Sequence, residues 1–567
     1  MNAFKVVNFK LNYKIIPGLY FLFSWIVVAW GQPARSPLLG VLTSFLGYLL
    51  FWEGLFFFDT KKVRFWISVF WFMAVEAIHL SWMISTEYQG FYIYSIYVFV
   101  LFAIGLQFGL LSLFLKKGSE LTFKRIFLIA SLWVWMEWLR LFFICGFPFN
   151  PVGLSLSSTN AGMQGASLMG IYGLTFWVML TNLIGYKCVH GFKKNLVALY
   201  ALCILSPYLF GLVNIAYHEK RINSSKECAF KTLLVQTALN PKEKTGFKGF
   251  ENMIPPIDQW AFIYNYLVDY KDQNIDLIVL PERTVPLSHN EPHYLLKNVQ
   301  VLVSSYFGKE ALEFMPKLDQ SVKYVDNVYI SQILANYFDA GVIVGLEHAQ
   351  VSEPDFFVGN ASAFYFSKDK PYQMYHKRIL LPLVEYIPFE WCKKLARRYN
   401  IYGWYERGDK PVVFDGAIKV SPSICMEEMY PFIVREGRKH GAELFANITN
   451  DVWYPNSKLP KQHFDHGALR AVENGVPLVR SCNTGITGAV DSLGRKLGSL
   501  KAEDGSFQWE KGALYIEVPK YHYQTLYAYF GDWLVLSLSG LLMFVFLVNF
   551  RIRLRYQKKQ VGRGLSF

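Results

Sequence analysis

Cys425 is the residue of this chain that is best placed for nucleophilic chemistry. Residues 417–424 are predicted to form a short strand and residues 430–440 a helix, so the thiol lies at a strand end just before a helix. The positive end of a helix dipole favours the thiolate, which attacks an activated carbonyl and leaves a thioester. For a cysteine taken alone, an inert buried thiol is the more common explanation.

Two charged side chains follow other predicted strands and could complete the same chemistry. Glu282 follows the apolar run 275–280, and Lys377 follows the strand-like residues 373–376. A desolvated carboxyl has a raised pKa and can take the proton of a thiol, while an ammonium stabilises a tetrahedral oxyanion. Taken singly, each charge is more typical of a solvated surface. Because all three residues end predicted strands, we expect them to meet at one edge of a sheet.

The order of these motifs resembles the nitrilase, or carbon–nitrogen hydrolase, superfamily. The matching segments are Pro281-Glu282, His376-Lys377 with a glutamate eight residues on, and Ile424-Cys425-Met426-Glu427. The resemblance is narrowed to one branch of this superfamily by three further segments, residues 447–454, 462–464 and 470–485, and by the apolar runs described below. They are similar to the membrane-bound acyltransferases of this superfamily that modify lipoproteins.

The resemblance implies a catalytic triad of Glu282, Lys377 and Cys425. It also implies that Glu385 holds the lysine and the substrate geometry, and that Glu427 is an essential supporting residue. A backbone N–H just after the cysteine is the expected second donor to the oxyanion. No cofactor is implied.

Two positions depart from the pattern of the superfamily. Met426 stands where a tyrosine commonly follows the cysteine, and a tryptophan after the first outer strand is missing near Thr245 and Phe247. Met426 and Trp453 are the candidates for substrate contact. Trp453 either lines an acyl pocket or simply packs.

The composition indicates a membrane protein. The chain has 567 residues, of which 53% are hydrophobic and 18% charged, and its net charge is +14. Its basic residues flank long apolar runs, so the expected partner is a lipid bilayer rather than a nucleic acid. Eight apolar runs are predicted to span the membrane: residues 15–31, 38–58, 65–83, 92–115, 126–145, 172–189, 196–215 and 533–550.

Positive charge predicts the orientation of these spans. Basic clusters lie in alternate connections and at both ends, at residues 5–14, 61–64, 116–125, 187–194 and 551–559, with Arg35 as the main exception. Both termini are therefore expected in the cytoplasm, and the segment between spans seven and eight is expected outside. The resemblance makes this the periplasmic side of a bacterial inner membrane.

Polar groups at the membrane have two explanations each. The outer loop 146–170 is either a connection with a re-entrant turn or the floor of a lipid access site. Glu76, His79, Glu137 and Arg140 lie in or near spans, where pairing inside the bundle explains them better than catalysis does.

Alternating strands and helices from residue 228 to 521 predict an α/β sheet domain. The resemblance implies a four-layer αββα sandwich. The expected architecture is thus a seven-span bundle (residues 1–220), a nitrilase-like outer domain (228–521), and an eighth span with a basic tail (530–567).

The sequence indicates neither a metal site nor a disulfide framework. His463 and His466 lie near Asp465 but lack a third ligand, and two polar residues on an exposed helix face explain them better. The seven cysteines are scattered, and nothing in their spacing supports a bond between Cys392 and Cys482.

The resemblance implies a two-step acyl transfer. The cysteine takes an acyl chain from a phospholipid and passes it to the amino group of a diacylglyceryl-cysteine lipoprotein; a monomer is expected. Two alternatives remain: a membrane-tethered amidase that hydrolyses a lipid amide, and a transporter with an inactive outer domain. The amidase would use the same thioester on Cys425 with water as the acceptor, whereas the transporter would not need Cys425.

Overall fold

The helices of the first part of the chain form a bundle. The computed structural model describes residues 15–143, 146–224, 229–247, 249–353, 356–368, 370–382, 384–387, 394 and 404–564. Two groups of residues from the sequence analysis lie outside these ranges. They are the lysines of the first basic cluster (Lys5, Lys10 and Lys14) and three of the seven cysteines (Cys145, Cys228 and Cys392). The bundle helices are α1 (Ile16–Ala29), α2 (Pro37–Leu55), α3 (Lys61–His79), α4 (Tyr92–Ser112), α5 (Phe123–Leu139), α6 (Ala166–His190) and α7 (Lys194–Ser224).

Five described helices are long and apolar enough to cross a membrane. Four are α2, α4, α6 and α7, and the fifth is the first part of a C-terminal helix, Trp533–Ile552. Helix α1 is apolar but has only 14 residues, and α3 and α5 carry Lys, Arg and Glu residues. The chain is a multi-pass membrane protein, and the prediction of eight spans stays a prediction.

Helix α6 lies at the centre of the bundle. In its apolar window 83% of the residues are buried, against 17% in α7, so α7 presents its side chains to lipid. The side chain of Asn182 on α6 accepts the N–H groups of Tyr48 and Leu49 at 3.1 Å each, beside a π-helical turn in α2. Backbone groups that a helix irregularity frees inside a bilayer need such partners.

The loop after α5 folds back into the bundle. Glu137 accepts hydrogen bonds from the backbone N–H of Val152, 2.8 Å away, and from Thr175, and Asn150 donates to Glu76 at 3.2 Å. Glu76 also lies 3.5 Å from His79. Glu76 thus pairs with His79 as predicted, whereas the hydrogen bonds of Glu137 go to uncharged groups and Arg140 donates to the side chain of Gln107 at 2.6 Å.

The second part of the chain, called the outer domain after its expected side of the membrane, contains two sheets. The first sheet has the strand order β15-β1-β2-β5-β6-β7, with β8 paired to β6. Its strands are β1 (Ala229–Gln236), β2 (Leu277–Val279), β5 (Gly341–Glu353), β6 (Phe356–Phe366), β7 (Gln373–His376), β8 (Trp404–Tyr405) and β15 (Gly512–Pro519). The second has the order β14-β13-β12-β11-β10-β9. Its strands are β9 (Phe414–Asp415), β10 (Lys419–Ile424), β11 (Leu444–Thr449), β12 (Leu478–Cys482), β13 (Gly488–Val490) and β14 (Lys496–Ser499). A two-stranded ribbon pairs β3 (Tyr294–Leu295) with β4 (Tyr324–Val325).

Helices cover both outer faces of this pair of sheets. Between the sheets, Leu234, Val279 and Ile343 pack with Val420 and Ile448. The first sheet is covered by α9 (Pro256–Leu267), α10 (Leu296–Phe307) and α11 (Asn327–Phe338), and the second by α12 (Pro431–Lys439) and α13 (Leu459–Asn474). A further short helix, α8 (Pro241–Thr245), follows β1. The layer order is helix, sheet, sheet, helix, as the sequence resemblance implied.

The outer domain and the bundle share one hydrophobic cluster. Met426, Tyr430 and Leu469 of the outer domain pack in the same buried cluster as Phe149 and Ile171 of the bundle. Helix α14 (Leu526–Phe530) and the C-terminal helix α15 (Trp533–Gly564) follow β15 and return the chain to the bundle. The face of the second sheet that carries α12 and α13 is thus the face toward the membrane helices.

A polar contact at a break in α6 joins the two parts. Gly170 has φ +66 and interrupts the helix, and the following Ile171 N–H donates to Glu473 of α13 at 2.8 Å. A Cβ at Gly170 would lie 2.4 Å from the ring of Tyr527, so only glycine fits this approach.

Candidate active site

Cys425 begins a tight turn at the end of β10. Its φ is +56, a left-handed value that residues with a side chain rarely adopt. A 3₁₀ turn, Cys425–Met429, follows directly, and Asn447 of the neighbouring strand donates to the Cys425 carbonyl at 3.0 Å. Such strain persists where surrounding contacts hold it and is common at reactive residues. The turn presents the sulfur at the end of the second sheet.

Lys377 lies between two carboxylates at the end of the first sheet. Its Nζ is 3.1 Å from Glu282 Oε1 and 2.6 Å from Glu385 Oε1, and the side chain is 1% exposed. The second oxygen of Glu385 accepts the Leu381 N–H at 2.8 Å, which fixes that carboxylate. Glu282 follows β2 and Lys377 follows β7, so two strands of one sheet supply this ion cluster. Opposite charges of this kind hold a buried ammonium in one position.

Glu427 joins the cysteine turn to the lysine turn. One carboxylate oxygen accepts the N–H groups of Arg378 and Ile379, at 2.6 and 3.0 Å. The other accepts the Ile424 N–H at 2.8 Å and the Tyr375 hydroxyl at 2.9 Å. A single buried side chain thus holds the residues that flank Lys377 against the residue before Cys425.

The site combines one buried cation with several acids. Burial raises the pKa of Glu282, and the neighbouring Lys377 only partly opposes that rise. Burial alone would lower the pKa of Lys377, but the carboxylates of Glu282 and Glu385 outweigh it and hold the pKa well above its usual value. The raised pKa of Glu282 agrees with the prediction, its role as a base stays a prediction, and the lysine stays an ammonium.

The resting side chain of Cys425 is a thiol. Burial raises the pKa of Cys425 to about 12, and the nearby Glu282 adds to the rise, although Lys377 opposes it. The prediction that a helix N-terminus favours the thiolate is therefore wrong for the resting site. A 3₁₀ turn rather than an α-helix follows the cysteine, and α12 begins only at Pro431. The thiol needs a base at the moment of attack.

Aromatic residues from both parts of the chain meet near the site. Trp453 lies 5.8 Å from Phe247 and 6.1 Å from Tyr88, measured between ring centroids. Phe247 thus stands beside Trp453 in the region where the superfamily's tryptophan is missing. Tyr88 comes from the segment between α3 and α4, and no sequence signal pointed to it. Met426 is buried against the bundle cluster, and its predicted substrate contact stays a prediction.

His463 and His466 are buried, so their predicted exposure on a helix face was wrong. His463 lies 2.9 Å from Asp451, and Asp451 lies 3.1 Å from Arg480. The sequence missed this arrangement because α13 packs between the second sheet and the bundle and has no free face there. Within the described ranges, no group of His, Cys, Asp and Glu could hold a metal ion.

The cysteines in the described ranges are all free. They are Cys188, Cys203, Cys425 and Cys482, of which Cys425 alone is not fully buried. Cys482 contacts Arg480 and donates to a backbone carbonyl. Since Cys392 lies outside the described residues, nothing further follows for that position.

Comparison with known proteins identifies both parts of the chain. The carbon-nitrogen hydrolase family model matches residues 258–507, and the model of the apolipoprotein N-acyltransferase N-terminal domain matches residues 41–184. An apolipoprotein N-acyltransferase of Chlamydia pneumoniae is 32% identical over 531 residues, covering 90% of this chain and 94% of that protein. The Rickettsia bellii protein of the same name is 26% identical and covers 75% of each chain.

Solved structures are also among the similar proteins. A carbon-nitrogen hydrolase from Helicobacter pylori is 16% identical, with a TM-score of 0.33 over 52% of this chain and 90% of that one.

Proposed function

This chain belongs to the apolipoprotein N-acyltransferase family, and we propose that it acylates lipoproteins through a thioester on Cys425. The observation that carries the proposal is the buried Lys377 ammonium, held by Glu282 and Glu385 and joined through Glu427 to the turn that carries Cys425. This arrangement supplies a nucleophile, a base and a cation at one place. Those three groups are what acyl transfer through a thioester requires.

In the first step, the Cys425 sulfur attacks an ester carbonyl of a phospholipid. Glu282 takes the thiol proton as the C–S bond forms, and the oxyanion develops beside Lys377. When the ester C–O bond breaks, Glu282 returns the proton to the departing oxygen. The products are an acyl thioester on Cys425 and a lysophospholipid.

In the second step, the free amino group of a diacylglyceryl-cysteine lipoprotein attacks the thioester. Glu282 accepts a proton from the nitrogen, the C–S bond breaks, and the proton returns to the sulfur. Lys377 and the N–H of Met426 act on the oxyanion in both steps, and one such donor typically contributes about 3 kcal/mol to transition-state stabilisation. The lipoprotein leaves as an amide with a third acyl chain.

The contact between the cysteine turn and the bundle supports lipid substrates. Met426 and Tyr430 pack in the cluster shared with the membrane helices, and the Tyr430 hydroxyl donates to the Gly146 carbonyl at 3.0 Å. Both substrates have tails embedded in the bilayer, and extracting them costs about 0.8 kcal/mol per CH₂ group. A site at the bundle surface avoids that cost. We propose eight spans, a periplasmic outer domain, cytoplasmic termini and a monomeric enzyme.

The test is detection of the acyl-enzyme. The full chain in lipid nanodiscs, given a phospholipid with labelled acyl chains, should gain one acyl mass on the peptide that contains Cys425. The adduct should persist without an acceptor and disappear when a diacylglyceryl peptide is added. Cys425→Ala should lose the adduct, whereas Cys203→Ala, which changes a buried cysteine of the bundle, should keep it.

Other outcomes would separate the alternatives. Rapid loss of the adduct to water, with release of free fatty acid, would favour a lipid hydrolase. Full activity of Cys425→Ala would refute the thioester and favour a transporter. No adduct on any variant, despite lipoprotein acylation, would place the nucleophile elsewhere.

A further inference from the structure

Glu428 is a buried carboxylate of the cysteine turn that the proposed triad does not use. It follows Glu427 directly in the 3₁₀ turn Cys425–Met429. Whereas Glu427 accepts N–H groups of the lysine turn, Glu428 forms an ion pair with Arg480 of β12. The side chains of Glu428 and Arg480 are both fully buried. Two consecutive carboxylates therefore hold the cysteine turn, one toward each sheet.

Arg480 is itself fixed by a second carboxylate. Its other terminal nitrogen lies 3.1 Å from Asp451, which follows β11. Asp451 is held by His463 of α13 at 2.9 Å, and its own N–H donates to the Thr484 carbonyl at 3.1 Å. Hydrogen bonds between charged groups are short and directional, so this network keeps the guanidinium in one place. Glu428 is thus paired with a partner that is already anchored.

The Glu428 carboxylate also lies against the backbone of α13. A Cβ added at Gly467 would lie 2.9 Å from Glu428 Oε2, which is too close for two atoms that are not bonded. One carboxylate oxygen thus faces Arg480, and the other faces a helix position that has no side chain. The carboxylate has little room to move, and neither has the turn that carries it.

The orientation of this turn matters because it contains the proposed oxyanion donor. The Cys425 carbonyl and the Met426 N–H belong to one peptide group, and Asn447 donates to that carbonyl at 3.0 Å. A preorganised N–H stabilises an oxyanion only while it points to the place where the charge develops. A displacement of about 1 Å can cost about 100-fold in rate. The peptide group therefore needs support on both sides of the turn.

We propose that Glu428 is a positioning residue that directs the Met426 N–H toward the oxyanion of the acyl transfer. Its ion pair with Arg480 and its contact with Gly467 hold the turn in that orientation. Glu428 does not touch the substrate, and no bond to it forms or breaks. The inference rests on the proposed thioester chemistry of Cys425.

The test compares two reactions of Cys425 in the full chain in nanodiscs. Thioester formation from a labelled phospholipid passes through an oxyanion. Alkylation by chloroacetamide does not, because the C–S bond forms as chloride leaves. Mass spectrometry of the Cys425 peptide measures both rates. Glu428→Leu removes the ion pair but leaves Arg480 paired with Asp451, and Glu428→Gln keeps an oxygen that accepts from the guanidinium.

The expected result is a selective loss of acyl transfer. Glu428→Leu should slow thioester formation by about 100-fold and change alkylation little. Glu428→Gln should recover most of the lost rate, because its amide oxygen can occupy the same place beside Arg480. Glu503→Gln is the control, since Glu503 is exposed, and it should follow the wild type in both reactions.

Gly467→Ala tests the same contact without removing a charge. Alanine favours a helix over glycine by about 0.5–1 kcal/mol, which offsets the cost of displacing the Glu428 carboxylate. The thermal midpoint should therefore change little, while thioester formation should slow by about 10–100-fold relative to alkylation. Gly18→Ala is the control, because it adds a methyl group to a helix where no atom lies within 4 Å.

A merely structural role would slow both reactions together, and that result would overturn the proposal. A wild-type ratio of the two rates in Gly467→Ala would do the same, and this variant decides the question should Glu428→Leu fail to accumulate. Cys425→Ala separates the inference from the proposed function. If acylation persists in that variant, the thioester itself is refuted; if it is lost there but unchanged in Glu428→Leu, only the positioning role fails.

Discussion

The most informative substitution in the candidate active site is Glu427→Gln. It keeps the size of the side chain and removes one of its two acceptor oxygens. In the structure one oxygen accepts the N–H groups of Arg378 and Ile379, and the other accepts Ile424 N–H and the Tyr375 hydroxyl. A glutamine amide would turn an NH₂ group toward two of these four donors.

The expected loss of stability follows from the number of donors that are left without an acceptor. A buried donor left without a partner costs about 1–3 kcal/mol, so two cost about 2–6 kcal/mol. Because domains of this kind are stable by only about 5–15 kcal/mol, this loss is large. Repulsion between the glutamine NH₂ group and the two donors that it faces would also separate the turn at Lys377 from the turn at Cys425. Since a displacement of about 1 Å can cost about 100-fold in rate, thioester formation should fall by a similar factor.

Two measurements check this prediction. Thermal unfolding in detergent reports the stability, and mass spectrometry of the Cys425 peptide reports the rate of thioester formation. Glu436→Gln is the matched control, because Glu436 pairs with the side chain of Arg378 at a partly exposed position. An exposed pair is worth about 0–1 kcal/mol, so the control should change neither result much. Wild-type stability and rate in Glu427→Gln would refute the idea that this carboxylate holds the two turns together.

Three further substitutions test other parts of the structure. Lys377→Arg keeps the charge but replaces a compact donor that is 1% exposed with a planar one, so the thioester assay should lose about 10²–10³-fold in rate. Gly170→Ala places a Cβ 2.4 Å from the Tyr527 ring and should lower thermal stability by about 1–3 kcal/mol, whereas Gly18→Ala, with no atom within 4 Å, should not. Trp453→Ala should slow acylation from long-chain phospholipids more than from short-chain ones; equal slowing would argue against an acyl contact.

The strand ends of the site were predictable because their signals are local. The prediction of residues 417–424 as a strand agrees with β10 (Lys419–Ile424), and that of residues 373–376 agrees with β7. Each strand is short and ends directly before a residue able to do chemistry. Glu282 and Lys377 follow strands of one sheet, but Cys425 follows β10 of the other, so the prediction that all three meet at one edge of a single sheet was wrong. The role of Glu385 was implied only by the resemblance.

Contacts between distant segments could not be predicted from the sequence. The role of Glu427 depends on the first sheet lying against the second, and no periodicity encodes that packing. The burial of His463 has the same origin, since α13 packs on the sheet and also on the bundle. The protonated state of Cys425 could not be predicted either, because it follows from burial among carboxylates that come from other strands.

The high pKa of the Cys425 thiol restricts when the proposed nucleophile can react. In the proposed mechanism, a thiol with a pKa of about 12 is inert until Glu282 removes its proton, and the sulfur reacts once a bound acyl group has excluded water. The thioester that follows must survive until an amine arrives. The contact of Met426 and Tyr430 with the membrane bundle covers the cysteine turn on that side. The triad alone could serve hydrolysis equally well, so the choice of the amine over water depends on this cover and on substrates that approach from the lipid.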